Sequence, residues 1–383
     1  MKIIETLEPF IIKNLLTNIN LIIISPLGRG GSYFFQSLLN RHPEIITLPE
    51  STTSCHEDLN SIQDFVLKNE KSFDSTKAYF NNVEISNQIN IDIDINRLVE
   101  IYHLLKNIHK PSNRKEAFLL YYLSYAILNN YDIKKLKFIL IHIHNFRSEK
   151  HLFYSFIKDF PNTKIIVLTK DLKLTFKSIS LIFEERYGGV FDDILISRIR
   201  KNLLEYETFK HLYNQFKKQI KIVDINLMHL QGKSKMQKLC DWLKIRYDDV
   251  LMISQIGNQE WFGNRADKIK SNGLHIDNYK VYKPGGELDS YQKNLINKSF
   301  EHIMNVFNYD KFVEVSTVSN NNFVKDFLKF KEFKATRSFK QKLKSIFKYT
   351  LLKSKVDSFR FENKYKIISD SYRNYRLERD SLI

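Results

Sequence analysis

The turn Ser25-Pro26-Leu27-Gly28-Arg29-Gly30-Gly31-Ser32 holds the first residues whose types and spacing could do chemistry. Glycines let backbone N–H groups come close to an anion, and a helix starting at the end of the turn would add partial positive charge. Arg29 supplies a planar, two-pronged cation and Ser32 a hydroxyl. Phosphate binding is the chemistry this combination suits. The turn is neither Gly-x-x-x-x-Gly-Lys-Ser/Thr nor Gly-x-Gly-x-x-Gly, so it is not one of the two common nucleotide loops. No run of His, Cys and Asp has metal-ligand spacing, and no metal is expected.

A glycine turn can do this only if rigid elements hold it. Leu21-Ile22-Ile23-Ile24 before it is a continuous apolar run, the pattern of a buried parallel strand. After it, Phe34, Phe35, Leu38 and Leu39 recur at helical spacing until His42-Pro43 stops the helix. Ile45–Leu48, Phe138–His144, Lys164–Thr169 and Ile220–Ile225 read as further strands, with helices expected over 153–160, 172–185 and 235–243. Strands alternating with helices predict an α/β fold, a parallel sheet flanked by helices. Residues 51–135 read as a helical insertion, with helical patterns at Leu59–Leu67, Ile95–Ile108 and Lys115–Leu128. The apolar run Phe118–Leu128 is about half the roughly 20 residues a membrane span needs, so it reads as a buried helix.

The turn and its flanks resemble the opening of sulfotransferases that use 3′-phosphoadenosine 5′-phosphosulfate (PAPS). There the loop usually reads Pro-Arg-Ser-Gly-Thr-Thr, followed by a helix and His-Pro. Arg29, Gly31 and Ser32 match it; Gly30 and Tyr33 replace the usual Ser and Thr. A second motif of that family is a strand ending in Arg-Asp-Pro or Arg-Asn-Pro with a Ser eight positions after the Arg. Here Lys164-Ile-Ile-Val-Leu-Thr169-Lys170-Asp171-Leu172 ends in Lys170, with Ser178 eight residues on. A lysine keeps the charge without the fork geometry of arginine. A third stretch runs from Ile222-Val-Asp224 through Leu239–Asp248 to Gly257-Asn-Gln-Glu-Trp261-Phe-Gly263-Asn264 and is similar to the family's late region. The resemblance covers roughly 19–50 and 136–265. It implies a P-loop-like sulfotransferase fold, PAPS held by Arg29, Gly30, Gly31, Ser32, Tyr33, Lys170, Ser178, Trp261 and Gly263, and Lys170 with Ser178 on the 3′-phosphate. The acceptor would be a small molecule, glycan, lipid or tyrosine-like group.

Sulfuryl transfer needs the donor positioned, charge on the sulfonate oxygens stabilised, and a proton taken from the acceptor. Arg29 serves the charge. Glu50, just past the Ile45–Leu48 strand, stands at the carboxyl end of the sheet and matches the base of the family's tyrosylprotein branch. His142 and His144 are the rival assignment: alternate residues of one strand face the same side, so both would face the site or both the core. His144 is the candidate base or donor to the sulfuryl oxygens.

Composition sets the frame. The 383 residues carry a formal charge of +17, which implies an anionic partner. Residues 321–383 hold 17 Lys and Arg against 7 Asp and Glu, so +10 of the excess sits in a C-terminal appendage and +7 in residues 1–320. The appendage interleaves Phe and Tyr with Lys, as in Phe339–Leu352, and suits either a solvated helix or peripheral contact with an anionic membrane or polyanion. No helix-turn-helix, zinc or RNA-recognition signature points to specific nucleic-acid binding. Two cysteines cannot form a disulfide framework, and with no secretion signal the expected location is cytoplasmic. The rival to an enzyme is a non-catalytic polyanion- or membrane-binding protein that keeps the fold with a degenerate site.

Overall fold

A computed structural model of the chain describes residues 8–28, 30–48, 94–187, 192–256, 259–261, 272–275 and 287–307. Arg29, Glu50, Gly263, the expected helix at 59–67 and the appendage 321–383 lie outside them. The described residues fall into two compact units, one of 8–170 and 208–275, the other of 171–207 and 287–307.

The first unit is built on five strands: β1 (Asn20–Pro26), β2 (Ile45–Thr47), β3 (Phe138–His142), β4 (Lys164–Thr169) and β5 (Ile220–Asp224). All pair in parallel, in the order β2-β3-β1-β4-β5. Continuous apolar runs form these strands because a parallel sheet covered on both faces has no solvent side, and every residue of β3 is buried. With β1 in the centre, the chain leaves it towards β2 on one side, whereas β4 leads to β5 on the other. The carboxyl ends of β1 and β4 therefore flank a topological switch point, the place where open α/β sheets bind ligands.

On one face, Ile22, Ile24, Ile166, Leu168 and Val223 pack with Phe35, Leu38 and Leu39 of α2 (Ser32–Leu39) and with Met236, Leu239, Cys240 and Leu243 of α9 (Gly232–Leu243). Burial pushes the Cys240 thiol up to about 12, with Asp241 and Glu44 adding to it, so this cysteine is packing material and not a nucleophile. α1 (Pro9–Asn18) and α3 (Ile95–Ile108) both pack on α4 (Arg114–Leu128). α4 is buried from Phe118 to Ile127, so the apolar run there is a core helix. No helix among the described residues is long and apolar enough to cross a membrane. α5 (Lys150–Asp159) adds Phe153, stacked on Phe146 at 5.1 Å.

His42-Pro43 ends α2 and also ties a corner at the amino edge of the sheet. His42 Nε2 lies 2.7 Å from the Arg246 carbonyl, and its Nδ1 accepts from the Glu44 N–H at 3.2 Å. Glu44 accepts from the Arg246 N–H at 2.9 Å and pairs with Lys137.

The second unit contains α6 (Leu172–Tyr187), residues 192–207 of α7 (Asp192–Phe216) and α10 (Ser290–Phe307). Phe300 of α10 meets Phe176 at 5.6 Å and Tyr206 at 6.2 Å. Asp171 starts α6 by accepting from the Lys173 N–H at 2.6 Å.

Candidate functional site

The glycine turn sits at the carboxyl end of β1, beside β4. Pro26 is in register with Leu168, and Leu27 N–H donates to the Leu168 carbonyl at 2.8 Å. The chain then folds back so closely that a Cβ on Gly30 would stand 2.9 Å from the same carbonyl oxygen. Gly31 follows with φ +72°, a left-handed conformation that glycine adopts without penalty, and caps α2. It brings no side-chain cap to the start of the helix, where the N-terminal amides favour an anion. Ser32 opens α2 and is buried. The sequence reading of a strand, glycine turn and helix holds, and the turn lies at the switch point.

Lys170 is the residue after β4, two positions beyond the carbonyl that both Leu27 and Gly30 contact. It is half-buried and stands at the other lip of the switch point. Ser178, half-buried on α6, belongs to the second unit. The chain towards Glu50 is anchored before it leaves the described residues: Gln36 Nε2 on α2 donates to the Leu48 carbonyl at 2.8 Å and to Thr47 Oγ1 at 3.1 Å.

The two histidines do not behave as one face of a strand. β3 ends at His142, which is fully buried, while His144, beyond the strand end, is exposed. They nevertheless touch, with His144 Nδ1 3.1 Å from His142 Nε2 and ring centroids 4.8 Å apart. The expectation that both face the site or both the core fails because the strand stops between them. Burial, and secondarily His144, lower the pKa of His142 to about 3, so it is neutral at physiological pH.

Tyr33 links this pair to the turn. Its ring meets His142 edge-on at 5.1 Å and His144 at 6.0 Å. Tyr33 and Phe34 pack in turn on Ile256 and Trp261. Trp261 is buried in that small cluster, behind the first turn of α2. It follows a two-strand antiparallel hairpin, β6 (Gln255–Ile256) with β7 (Gln259–Glu260).

One wall of the site escaped the sequence reading. α8 (Ile225–Leu230) starts where β5 ends, and Ile225 would lie 3.9 Å from a Cβ on Gly31. His229 stacks on Phe34 at 4.9 Å. Asp224 fixes the start of α8 by accepting from Asn226 N–H at 2.7 Å and Leu227 N–H at 3.2 Å. An Asp at the end of an apolar strand is an N-cap signal and could have located this helix. No group of three or more His, Cys, Asp or Glu placed to hold a metal occurs among the described residues.

These features define an α/β protein with a glycine turn, an adjacent lysine and an aromatic–histidine cluster at the carboxyl end of its sheet. No protein-family model and no curated protein matches the chain. Among solved structures it is similar to a sulfotransferase domain from the curacin biosynthetic pathway, at 12% identity and a TM-score of 0.42 over 76% of this chain and 98% of that one. It is also similar to the sulfotransferase domain of an olefin synthase from Synechococcus PCC 7002, at 13% identity and a TM-score of 0.40 over 76% and 96% of the two chains. Sulfotransferase STF9 from Mycobacterium avium gives 10% identity and a TM-score of 0.38 over 78% and 80%. Likenesses this distant carry no argument about function, which has to be read from the residues of the site.

Proposed function

We propose that the protein is a sulfotransferase that moves a sulfuryl group from PAPS to a hydroxyl or amine of a small-molecule, glycan or lipid acceptor. The observation that carries this reading is the turn at the switch point. There Gly30 is held against the Leu168 carbonyl and Gly31 leads straight into α2, with Lys170 leaving the neighbouring strand. A Cβ at Gly30 would clash with the sheet, so the turn is pressed flat on it and has backbone N–H groups, not side chains, to offer a phosphate there.

On this reading the donor supplies an activated sulfuryl group, and the chain supplies position and charge. Gly30, Gly31 and Ser32 hold the 5′ end with Arg29, while Lys170 takes the 3′-phosphate. Glu50 accepts the acceptor's proton as its oxygen or nitrogen bonds to sulfur, and the bond from sulfur to the 5′-phosphate oxygen breaks. Tyr33 forms the aromatic wall beside the transferring group, with the buried Trp261 packed against it.

Calorimetric titration with adenosine 3′,5′-bisphosphate tests the reading. The full chain should bind it. Lys170→Ala should weaken binding roughly 10- to 100-fold, the loss of a charge-assisted bond of about 1.5–3 kcal/mol. Absence of binding by the unsubstituted protein overturns the proposal.

A further inference from the structure

We infer that the seam between α9 and β5, the last strand of the sheet, is a docking track for a linear acidic glycan, lined by Lys164, Lys235, Lys238 and Lys244. This surface does not depend on the sulfotransferase reading, and it is separate from the basic appendage.

Helical spacing places the lysines of α9. Met236, Leu239, Cys240 and Leu243 form its buried face against the sheet. Lys235, Lys238 and Trp242, at i, i+3 and i+7, share one flank, and Lys235 there is drawn to Asp224 at the end of β5. Lys233 lies on the opposite flank, paired with Asp249. Lys164 opens β4 in register with Ile22, a member of the core that α9 covers, so its side chain rises on the α9 side. Its Nζ stands 4.8 Å over the Trp242 ring. Lys244 follows the end of α9 and is exposed. From Lys235 to Lys244 the row runs about 14 Å along the helix axis.

Charge along this row is not balanced. None of the four lysines makes an ion pair among the described residues, and Asp241, the one acid of α9, pairs with none of them. Asp224 is committed to the first amides of α8. Burial lowers the Lys164 pKa, Lys244 and Lys221 lower it further, and no carboxylate acts against them. Burial and Lys238 likewise lower Lys235 and outweigh Asp224. Like charges so placed repel each other, and an anion lying along the row relieves the repulsion. A line of point charges fits a chain that carries anionic groups along its length. Trp242, the aromatic of the seam, has Lys164 over one face and the core against it, so it offers no platform for stacking a nucleic-acid base. The exposed large apolar side chains, Phe10, Leu104, Leu230, Ile253 and Tyr291, all lie off the row, so nothing on it enters a membrane. The sulfate and carboxylate groups of a glycan are the anions that this surface suits.

Calorimetric titration of the full chain with a heparin octasaccharide tests the track. Changing Lys235, Lys238 and Lys244 together to Gln should weaken binding about tenfold at 0.15 M salt. It should also lower the slope of log affinity against log salt by about two, since each lost cation releases one counterion fewer. A charge-matched variant, Lys106→Gln with Lys110→Gln and Lys233→Gln, should stay within twofold of the parent. Equal losses in the two triple variants, or no loss in the first, overturn the inference. Lys238→Gln alone, at an exposed position, should still weaken binding about threefold, so the result does not hang on the folding of the triple variant. The same variants are then titrated with an oligothymidylate of matched charge and with vesicles rich in anionic lipid. A loss there as large as that for the octasaccharide overturns the glycan as the partner. A protein that binds the octasaccharide along this row but not adenosine 3′,5′-bisphosphate keeps the track and loses the sulfotransferase reading; the reverse result does the opposite.

Discussion

Gly30 and Gly31 are neighbours with different reasons to be glycine. At Gly30 the obstacle is space: a Cβ would stand 2.9 Å from the Leu168 carbonyl oxygen and 3.2 Å from Pro26 Cβ. Both are parts of the sheet and cannot swing aside. At Gly31 the obstacle is the backbone, with φ +72° and only Ile225 near a Cβ, at 3.9 Å. Gly31→Ala should therefore cost about 1–2 kcal/mol of stability, the left-handed penalty, measured by urea unfolding. Gly30→Ala should cost about 1–3 kcal/mol through overpacking. It should also lower affinity for adenosine 3′,5′-bisphosphate more than Gly31→Ala does, because the turn itself must move. Equal affinities for the two variants would count against the turn as the anion cradle. At this scale the sequence made the turn, Lys170 and the histidines visible, because residue type and order suffice for that. It did not show that one histidine is buried and the other exposed, since where β3 stops depends on its pairing with β1. Nor did it show the Leu168 carbonyl, a backbone atom common to every residue.

Elements whose sequence carries one dominant signal were legible. β4 runs Lys164–Thr169 as the apolar stretch indicates, and α3 spans Ile95–Ile108 as its periodicity does. α7 and α10 were not foreseen: both mix polar and apolar residues over long spans, and Tyr206 and Phe300 find their partners across the chain. The two-residue strands of the β6–β7 hairpin are too short for any period. α8 was missed for its brevity, although Asp224 announces it. That cap gives an element-scale prediction: Asp224→Ala should cost about 1 kcal/mol, the usual value of an N-cap, while Asp224→Asn should recover most of it. Because α8 holds Ile225 at Gly31 and His229 on Phe34, the Ala variant should also bind the bisphosphate more weakly. Weaker unfolding resistance with unchanged binding would separate α8 from the site.

The corner at Glu44 ties the entry to β2 to the segment after α9 and gives a pH-dependent counterpart. Burial alone would raise the Glu44 pKa, but the Lys137 side chain and the Arg246 N–H outweigh it and hold the carboxyl below its ordinary value. A carboxyl lowered in the folded state adds stability above its unfolded pKa and loses it as the pH falls through the folded one. Glu44→Gln should thus be less stable than the parent by about 1 kcal/mol at pH 7, and the difference should shrink below about pH 4. Paired urea unfolding curves at the two pH values check this. A gap that persists in acid would mean that the corner is held by packing and not by charge.

For the whole molecule, the positive charge divides into two parts. Residues 321–383 carry +10 of the +17, and the remaining +7 is spread over a chain five times as long. The proposed nucleotide site needs few cations, Arg29 and Lys170 foremost, held close to the phosphates. Such a site loses affinity gently with added salt, whereas a polymer or membrane held by many lysines loses it steeply, because each neutralised charge releases a counterion. The two behaviours should separate in the full chain when Lys342, Lys344 and Lys348 are all changed to Gln. Affinity for adenosine 3′,5′-bisphosphate should stay within about twofold at 0.15 M salt, where the Debye length is roughly 8 Å and only charges held close to the phosphates count. Retention on a heparin column, or on vesicles rich in anionic lipid, should fall and its salt dependence flatten. A parallel loss of nucleotide affinity would place the charge of the appendage at the site itself, and the net charge would then belong to one function instead of two.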